Sequence, residues 1–286
     1  MFNEINKSLA IMAVAALFAS CGKSNEVSPQ MQIYNSAESA LMLGNAELCT
    51  QLLDSLDRWT PSSDKEQKDI EAMRLSMSLR PKAIAVIAER DIILADSTIN
   101  ANRENLDQLK PMMKYITLPN VEGYYVAKDT YKEHFLNSTG LSARVTDIGE
   151  FYIVSSLNPS SGLRHIAISV SVAGQTATTP NVAYDGALNY RISGSEMITF
   201  TPSQSDSIGA LIASYPNEKV DVTFIGETGK TKRIKLSATD AKGIATAYNY
   251  ARSINAMRDA TIAKEKYEKI LQLASLRSSM QESKSE

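Results

Sequence analysis

His165-Ile166-Ala167-Ile168-Ser169-Val170-Ser171-Val172-Ala173-Gly174 is the stretch on which the fold turns. Ile166, Ile168, Val170 and Val172 fall on one face of an extended segment, and His165, Ala167, Ser169 and Ser171 on the other. This two-residue period belongs to a strand with one face on a core, and β-branched residues suit the pleat. Ala173-Gly174 then supplies a turn. Short strands of the same character surround it between Pro119 and Leu236: Gly123–Ala127, Ser142–Asp147, Glu150–Leu157, Gln175–Thr179, Leu188–Ile192, Glu196–Phe200, Lys219–Ile225 and Thr231–Leu236. Asp147-Ile148-Gly149, Asp185-Gly186, Ser193-Gly194 and Glu227-Thr228-Gly229 separate them as turns. Evenly spaced short strands predict a mostly antiparallel β-sandwich or open barrel. Ser207–Ser214, with Ile208, Leu211 and Ile212 on one side, is expected to be a short helix over one end.

The flanks change period. Over Lys82–Lys114, Ala85, Ile92, Ile99, Leu106 and Met113 recur every seven residues, with Ala88, Ala95, Asn102 and Leu109 at the companion positions. Such a pattern predicts a coiled-coil-like seam with close helix approach and Asn102 fixing its register. A shorter helix over Lys65–Leu79 precedes it, and Pro81 is expected to kink or end that helix. Beyond Leu236, Ser237-Ala238-Thr239-Asp240 caps a helix over Ala241–Leu276, whose three-four spacing slips once between Ile254 and Ala256. The two long helices are expected to pair as an antiparallel stalk around the inserted β region, with Arg277–Glu286 a disordered tail.

Nearer the start, Tyr34, Ala37 and Leu41, then Gly44, then Leu48, Leu52, Leu53 and Leu56 read as an αα-hairpin with a glycine turn. Ala37 and Ala40 before Gly44, Cys49, Leu53 and Leu56 after it, and Pro61 at the close resemble one tetratricopeptide-type repeat. The resemblance implies a protein–protein contact surface. A single unit must pack on the chain beyond it, because such repeats need about three copies to stand alone.

Leu9–Ala19 is an unbroken apolar run, and Leu17-Phe18-Ala19-Ser20-Cys21-Gly22 ends it with small residues before a cysteine. The run suits a signal-peptide core and is well short of the ~20 residues that span a bilayer. It resembles the lipobox of bacterial lipoproteins. The resemblance implies a signal peptide cleaved after Ser20, lipid such as palmitate on Cys21, and anchoring to the outer membrane, facing the periplasm or the cell surface. The polar stretch Lys23–Gln32 suits a tether. The order of lipobox, helical segment ending in Asp54-Ser55-Leu56, long helix and β region is similar to helix–β–helix lipoproteins of Bacteroidetes-type bacteria, which lend no activity. Asp54-Ser55-Leu56, Asp96-Ser97-Thr98 and Asp206-Ser207-Ile208 also resemble the Asp-Ser/Thr sites that are O-glycosylated in exported proteins of those bacteria.

The expected class is α+β: an N-terminal helical hairpin and long coiled-coil-like helices with an inserted β domain. The expected plan is a signal peptide over 1–20, a lipidated flexible linker over 21–32 and a hairpin and long helix over 33–116. The β-rich domain takes 117–236, the C-terminal helix packs on the first helices over 237–276, and the tail takes 277–286.

Composition removes several functions. Thirty basic against 32 acidic residues give a net charge of −2, with no electrostatic case for nucleic acid. With Cys21 lipidated, Cys49 has no disulfide partner and reads as a small buried hydrophobe. Two histidines argue against a His-rich metal site, His134 beside Glu133 lacks ligand spacing, and no cofactor is expected. Gly226-Glu227-Thr228-Gly229-Lys230-Thr231 has Phe224 where a phosphate-binding loop needs its first glycine, so it reads as a hairpin turn and no nucleotide is expected. Ser155, Ser156 and His165 with an aspartate form only a nominal triad, because no glycine–serine elbow surrounds either serine. No catalytic residue is assigned. Tyr124, Tyr125 and Tyr131, with Phe135, are candidates for a ligand platform, against packing of the β domain as their other use. The chain therefore reads as a non-enzymatic, membrane-anchored lipoprotein that presents a β domain to a protein or an envelope polymer. A glycan-binding module, or a hydrolase, in the β domain is the alternative.

Overall fold

The computed structural model describes residues 27–58, 67–118, 121–184, 186, 188–192 and 194–283, so the stretch Leu17–Gly22 that resembles a lipobox, with Cys21, lies outside the described residues. In chain order the helices and strands begin with α1 (Pro29–Met42), α2 (Ala46–Asp57) and α3 (Gln67–Leu109). The strands β1 (Met113–Leu118), β2 (Val121–Ala127), β3 (Gly140–Val145), β4 (Phe151–Leu157), β5 (His165–Val172), β6 (Gln175–Thr178), β7 (Asn189–Ile192) and β8 (Ser195–Phe200) come next. The chain then forms α4 (Pro202–Ser214), β9 (Val220–Gly226), β10 (Thr231–Lys235) and α5 (Ala238–Glu282). This is an α+β protein. It divides into two compact units, Met1–Asp96 with Ile262–Glu286, and Ser97–Thr261.

In the first unit, Ser28 Oγ accepts from Met31 N at 3.2 Å and Asn45 Oδ1 from Leu48 N at 3.1 Å, so α1 and α2 each start on a side-chain cap. Gly44, at φ 78°, takes the left-handed turn between them. Tyr34, Ala37 and Ala40 of α1 and Cys49, Leu53 and Leu56 of α2 share a core with Ala72, Leu79 and Ala83 of α3. Cys49 is buried and unpaired, as a small apolar side chain. Arg80 binds the end of α2 through Asp54 at 2.6 Å and Asp57 at 2.8 Å.

Three expectations for the helices are corrected. Pro81 does not end a helix: α3 runs through it. A proline inside a helix costs roughly 3 kcal/mol, and here Leu79 and Ala83, buried on either side of it, hold the turn in place. The long helix stops at Leu109, and Met113 is not a seam position. Pro111 disfavours helix at Lys110, a short 3-10 turn intervenes, and Met113 opens a strand as a core residue of the second unit. Arg277–Glu282 are not part of a disordered tail, because α5 continues to Glu282. No proline or glycine interrupts Arg277–Glu282, and Ala274 is packed at 4% exposure. Ala88 and Ala95 are buried as the heptad predicts. The Asn102 side chain, however, donates to the Thr98 carbonyl of its own helix at 2.8 Å, so register is not its visible task.

In the second unit the strands form two antiparallel sheets, ordered β1-β2-β3-β4-β8-β7 and β10-β9-β5-β6. Leu141, Ile153, Leu157, Ile198 and Phe200 of the first share one core with Ile168, Val170, Val172, Val222 and Phe224 of the second. Ile208 and Ile212 of α4 and Ile244, Ala247 and Ala251 of α5 complete it. The free edge strand β10 carries Lys232, Arg233 and Lys235, charges that discourage edge-to-edge pairing.

The deciding stretch holds one surprise. Ile168, Val170 and Val172 face the core as predicted. At the start of β5, His165 pairs with Gly226 and Ala167 with Ile225, so two steps along β5 match one along β9. This β-bulge reverses the alternation. His165 turns inward at 1% exposure, edge-on to Phe224 at 5.3 Å, and Ile166 becomes half-buried.

Candidate functional site

The bulge creates the most organised polar group in the second unit. His165 Nε2 lies 2.9 Å from Ser155 Oγ, and His165 Nδ1 lies 2.9 Å from Glu196 Oε2. Ser155 and Glu196 sit on β4 and β8 of the six-stranded sheet, and His165 on β5 of the other, so the relay ties sheet to sheet. Each points inward by strand parity: Ser155 alternates with Ile153 and Leu157, Glu196 with Ile198 and Phe200. Glu196 also accepts the backbone N–H of Arg164 at 2.8 Å and of His165 at 2.7 Å. Arg164 has a φ of 52°, a left-handed conformation rare outside glycine, and it aims both amides at the same carboxylate.

Burial pushes the Glu196 carboxyl up. The hydrogen bonds from the His165 ring and the two backbone amides, with the charge of His165, outweigh that and bring it down to about 2. A serine oxygen, an imidazole and a carboxylate in this order form the arrangement by which hydrolases activate a nucleophile. Access is what it lacks. Ser155, His165 and Glu196 are 0%, 1% and 4% exposed, so no substrate carbonyl reaches Ser155 Oγ in this conformation. What the arrangement does as it stands is satisfy a buried charge while joining two sheets.

Glu227 lies beyond the relay and receives Arg164 at 3.4 Å and Arg191 at 3.1 Å. The Arg191 guanidinium stacks 4.0 Å from the Tyr184 ring. The sequence named Ser155 and His165 but looked for an aspartate. The missed signal was Glu196, a charged residue on the apolar parity of its strand.

The aromatic candidates do not form one platform. β2 pairs Tyr124 with Ile116 and Tyr125 with Tyr115, so successive tyrosines face opposite ways. Tyr125 packs between Tyr115 at 4.7 Å and Tyr250 at 5.2 Å. Burial, then the Tyr125 neighbour, pushes the Tyr250 phenol up to about 12. Tyr124 lies under the Arg144 guanidinium at 4.6 Å, and Tyr131 under Lys114 Nζ at 4.1 Å. Lys114 shares the face of Tyr124, since it pairs with Val126. Tyr124 and Tyr131 therefore stand with two cations on the outer face of the six-stranded sheet, and Tyr125 does not.

The remaining motifs have local uses. Gly226–Thr231 closes the β9–β10 hairpin, with Gly226 N donating to Lys230 O at 2.8 Å. The aspartates of the three Asp-Ser motifs are each engaged: Asp54 with Arg80, Asp96 with Lys264 at 2.8 Å and Asp206 with Tyr248 Oη at 3.1 Å. Among the described residues no group of three or more His, Cys, Asp or Glu side chains is placed to hold a metal. Compared with known proteins, the chain matches no family model, no curated protein and no solved structure.

Proposed function

We propose that the protein is a lipid-anchored lipoprotein of the bacterial outer membrane, held through Cys21, whose β part contacts a protein or an envelope polymer. The apolar run Leu9–Ala19 closed by Ser20-Cys21 is the observation that carries it. Among the described residues no helix is long and apolar enough to cross a membrane. The finer architecture belongs to the same proposal: α1 and α2 form a helical hairpin, and α3 and α5 pair as an antiparallel stalk. Two contacts support the stalk. Lys264 meets Asp96, and Tyr267, whose phenol is raised by its hydrogen bond to Asp91, stands opposite an earlier turn of α3. Later positions on α5 thus meet earlier ones on α3. The outer sheet face with Lys114, Tyr124, Tyr131 and Arg144 is suited to an anionic polymer with stacking surfaces. Growth with an alkynyl palmitate tests the anchor. The wild-type protein should take up label and fractionate with membranes, and Cys21→Ser should do neither; equal labelling of both would sink it.

A hydrolase in the β part is the second reading, and the Ser155–His165–Glu196 distances favour it. A fluorophosphonate probe decides between them. Labelling of the wild type that disappears in Ser155→Ala would establish an accessible nucleophile and displace the non-enzymatic assignment.

A further inference from the structure

The first unit carries an apolar groove of about 490 Å³, lined by Met77, Pro81 and Ile84 of α3 and by Ile270, Leu273 and Ala274 of α5. It lies where Pro81 interrupts the hydrogen-bond ladder of α3. Its surroundings are bare: Met77, Leu273, Leu276 and Met280 are 63%, 56%, 52% and 60% exposed. Exposed apolar residues beside such a trough mark a surface that something else covers.

We propose that the groove receives an acyl chain carried by Cys21; this rests on the lipid-anchor assignment. Reach supports that occupant. α1 and α2 are 14 and 12 residues long, joined by Leu43–Asn45 and packed on each other, so α2 ends beside the start of α1. Asp57, the last residue of α2, lines the groove. Cys21 precedes Val27 by six residues, a span of at most about 20 Å when extended. The described chain thus starts at the end of the unit where the groove opens, within reach of an acyl chain six residues upstream.

Chemistry supports it too. Hydrocarbon leaving water for such a trough gains roughly 0.8 kcal/mol per methylene, whereas hydrocarbon leaving a bilayer gains almost nothing. The groove therefore shelters the chain while the protein is away from a membrane and releases it to a bilayer without penalty.

Palmitate bearing a terminal alkyne and a diazirine, fed to cells making the full chain, tests this. The lipidated protein is purified, detergent is removed, and the sample is irradiated and mapped by peptide. Cross-links should fall in the peptides holding Met77–Ile84 and Ile270–Gln281. The double variant Met77→Gln with Leu273→Gln alters two exposed side chains and leaves the buried core in place. It should keep its Cys21 label and lose cross-link yield about tenfold, since the polar amides remove apolar contact from the trough. Labelled protein cross-linked elsewhere, or only between copies, would overturn the groove and leave the anchor standing. An unlabelled Cys21 would overturn the anchor, and the proposed occupant with it.

Discussion

Replacing Glu196 by glutamine removes the charge of the relay and keeps its shape. In the native protein the carboxylate accepts three hydrogen bonds, from Arg164 N, His165 N and His165 Nδ1. Glutamine offers one oxygen and turns an N–H₂ toward a donor, so at least one of those bonds becomes a clash of donors. The carboxyl is brought from 4.5 to about 2 in the folded protein; at about 1.4 kcal/mol per pH unit that is about 3 kcal/mol of stability held by the ionised form. The sign follows from a folded pKa below the unfolded one. The contribution is complete above about pH 4.5 and disappears as pH falls toward about 2. E196Q should therefore be less stable than wild type by about 3 kcal/mol at pH 7, consistent with the cost of breaking a buried pair. The gap should close between about pH 4.5 and pH 2. Urea unfolding followed by near-ultraviolet circular dichroism of the tyrosines, repeated across that range, measures it. A gap under about 1 kcal/mol at pH 7, or one that does not change with pH, would refute the assignment of Glu196 as an ionised, fully bonded anchor of the two sheets.

Three further outcomes are expected. Ser155→Ala leaves His165 Nε2 without its partner and should cost about 1–2 kcal/mol in the same unfolding assay. Leu53→Ala, at a fully buried position of the first unit, should cost about 2–5 kcal/mol as a cavity. Thermal unfolding by far-ultraviolet circular dichroism would show it as an earlier loss of helix. Gly209→Ala would push a methyl into the rings of Tyr248 and Phe151, which already meet edge-on at 5.2 Å, and should destabilise by about 1–3 kcal/mol. Faster amide exchange in α4 would locate that effect.

The regular parts of both units were legible because they repeat. Ile168, Val170 and Val172 of β5 and the heptad alanines Ala88 and Ala95 are buried as their periods predict. Irregular features were not. Pro81 reads as a helix end by its own chemistry, and only the core on both sides of it decides otherwise. Lys110-Pro111-Met112 breaks a heptad that Met113 continues on paper, because seven-residue spacing does not register where a helix stops. Tyr124 and Tyr125 are adjacent in sequence and opposite in space, as neighbours on any strand must be.

The relay was half-legible, and the missing half explains its form. Period two places His165 with Ser169 and Ser171, on the face away from the core. Only the bulge at the start of β5 brings it inward, and a bulge leaves no mark in a pattern of apolar and polar residues. Once inside, its ring reaches Ser155 and Glu196 of the other sheet. An apolar residue at each of the three sites would fill the space without fixing how far one sheet slides over the other. The charged set fixes it, because a slip of one residue on β5 or β8 leaves an ionised Glu196 buried without donors. The burial of this triad suits a role in register. His165→Phe should then preserve folding but broaden the tyrosine and methyl resonances of the sheet interface, as pairings compete. A single sharp set of resonances in that variant would show that the sheets find their register without the relay.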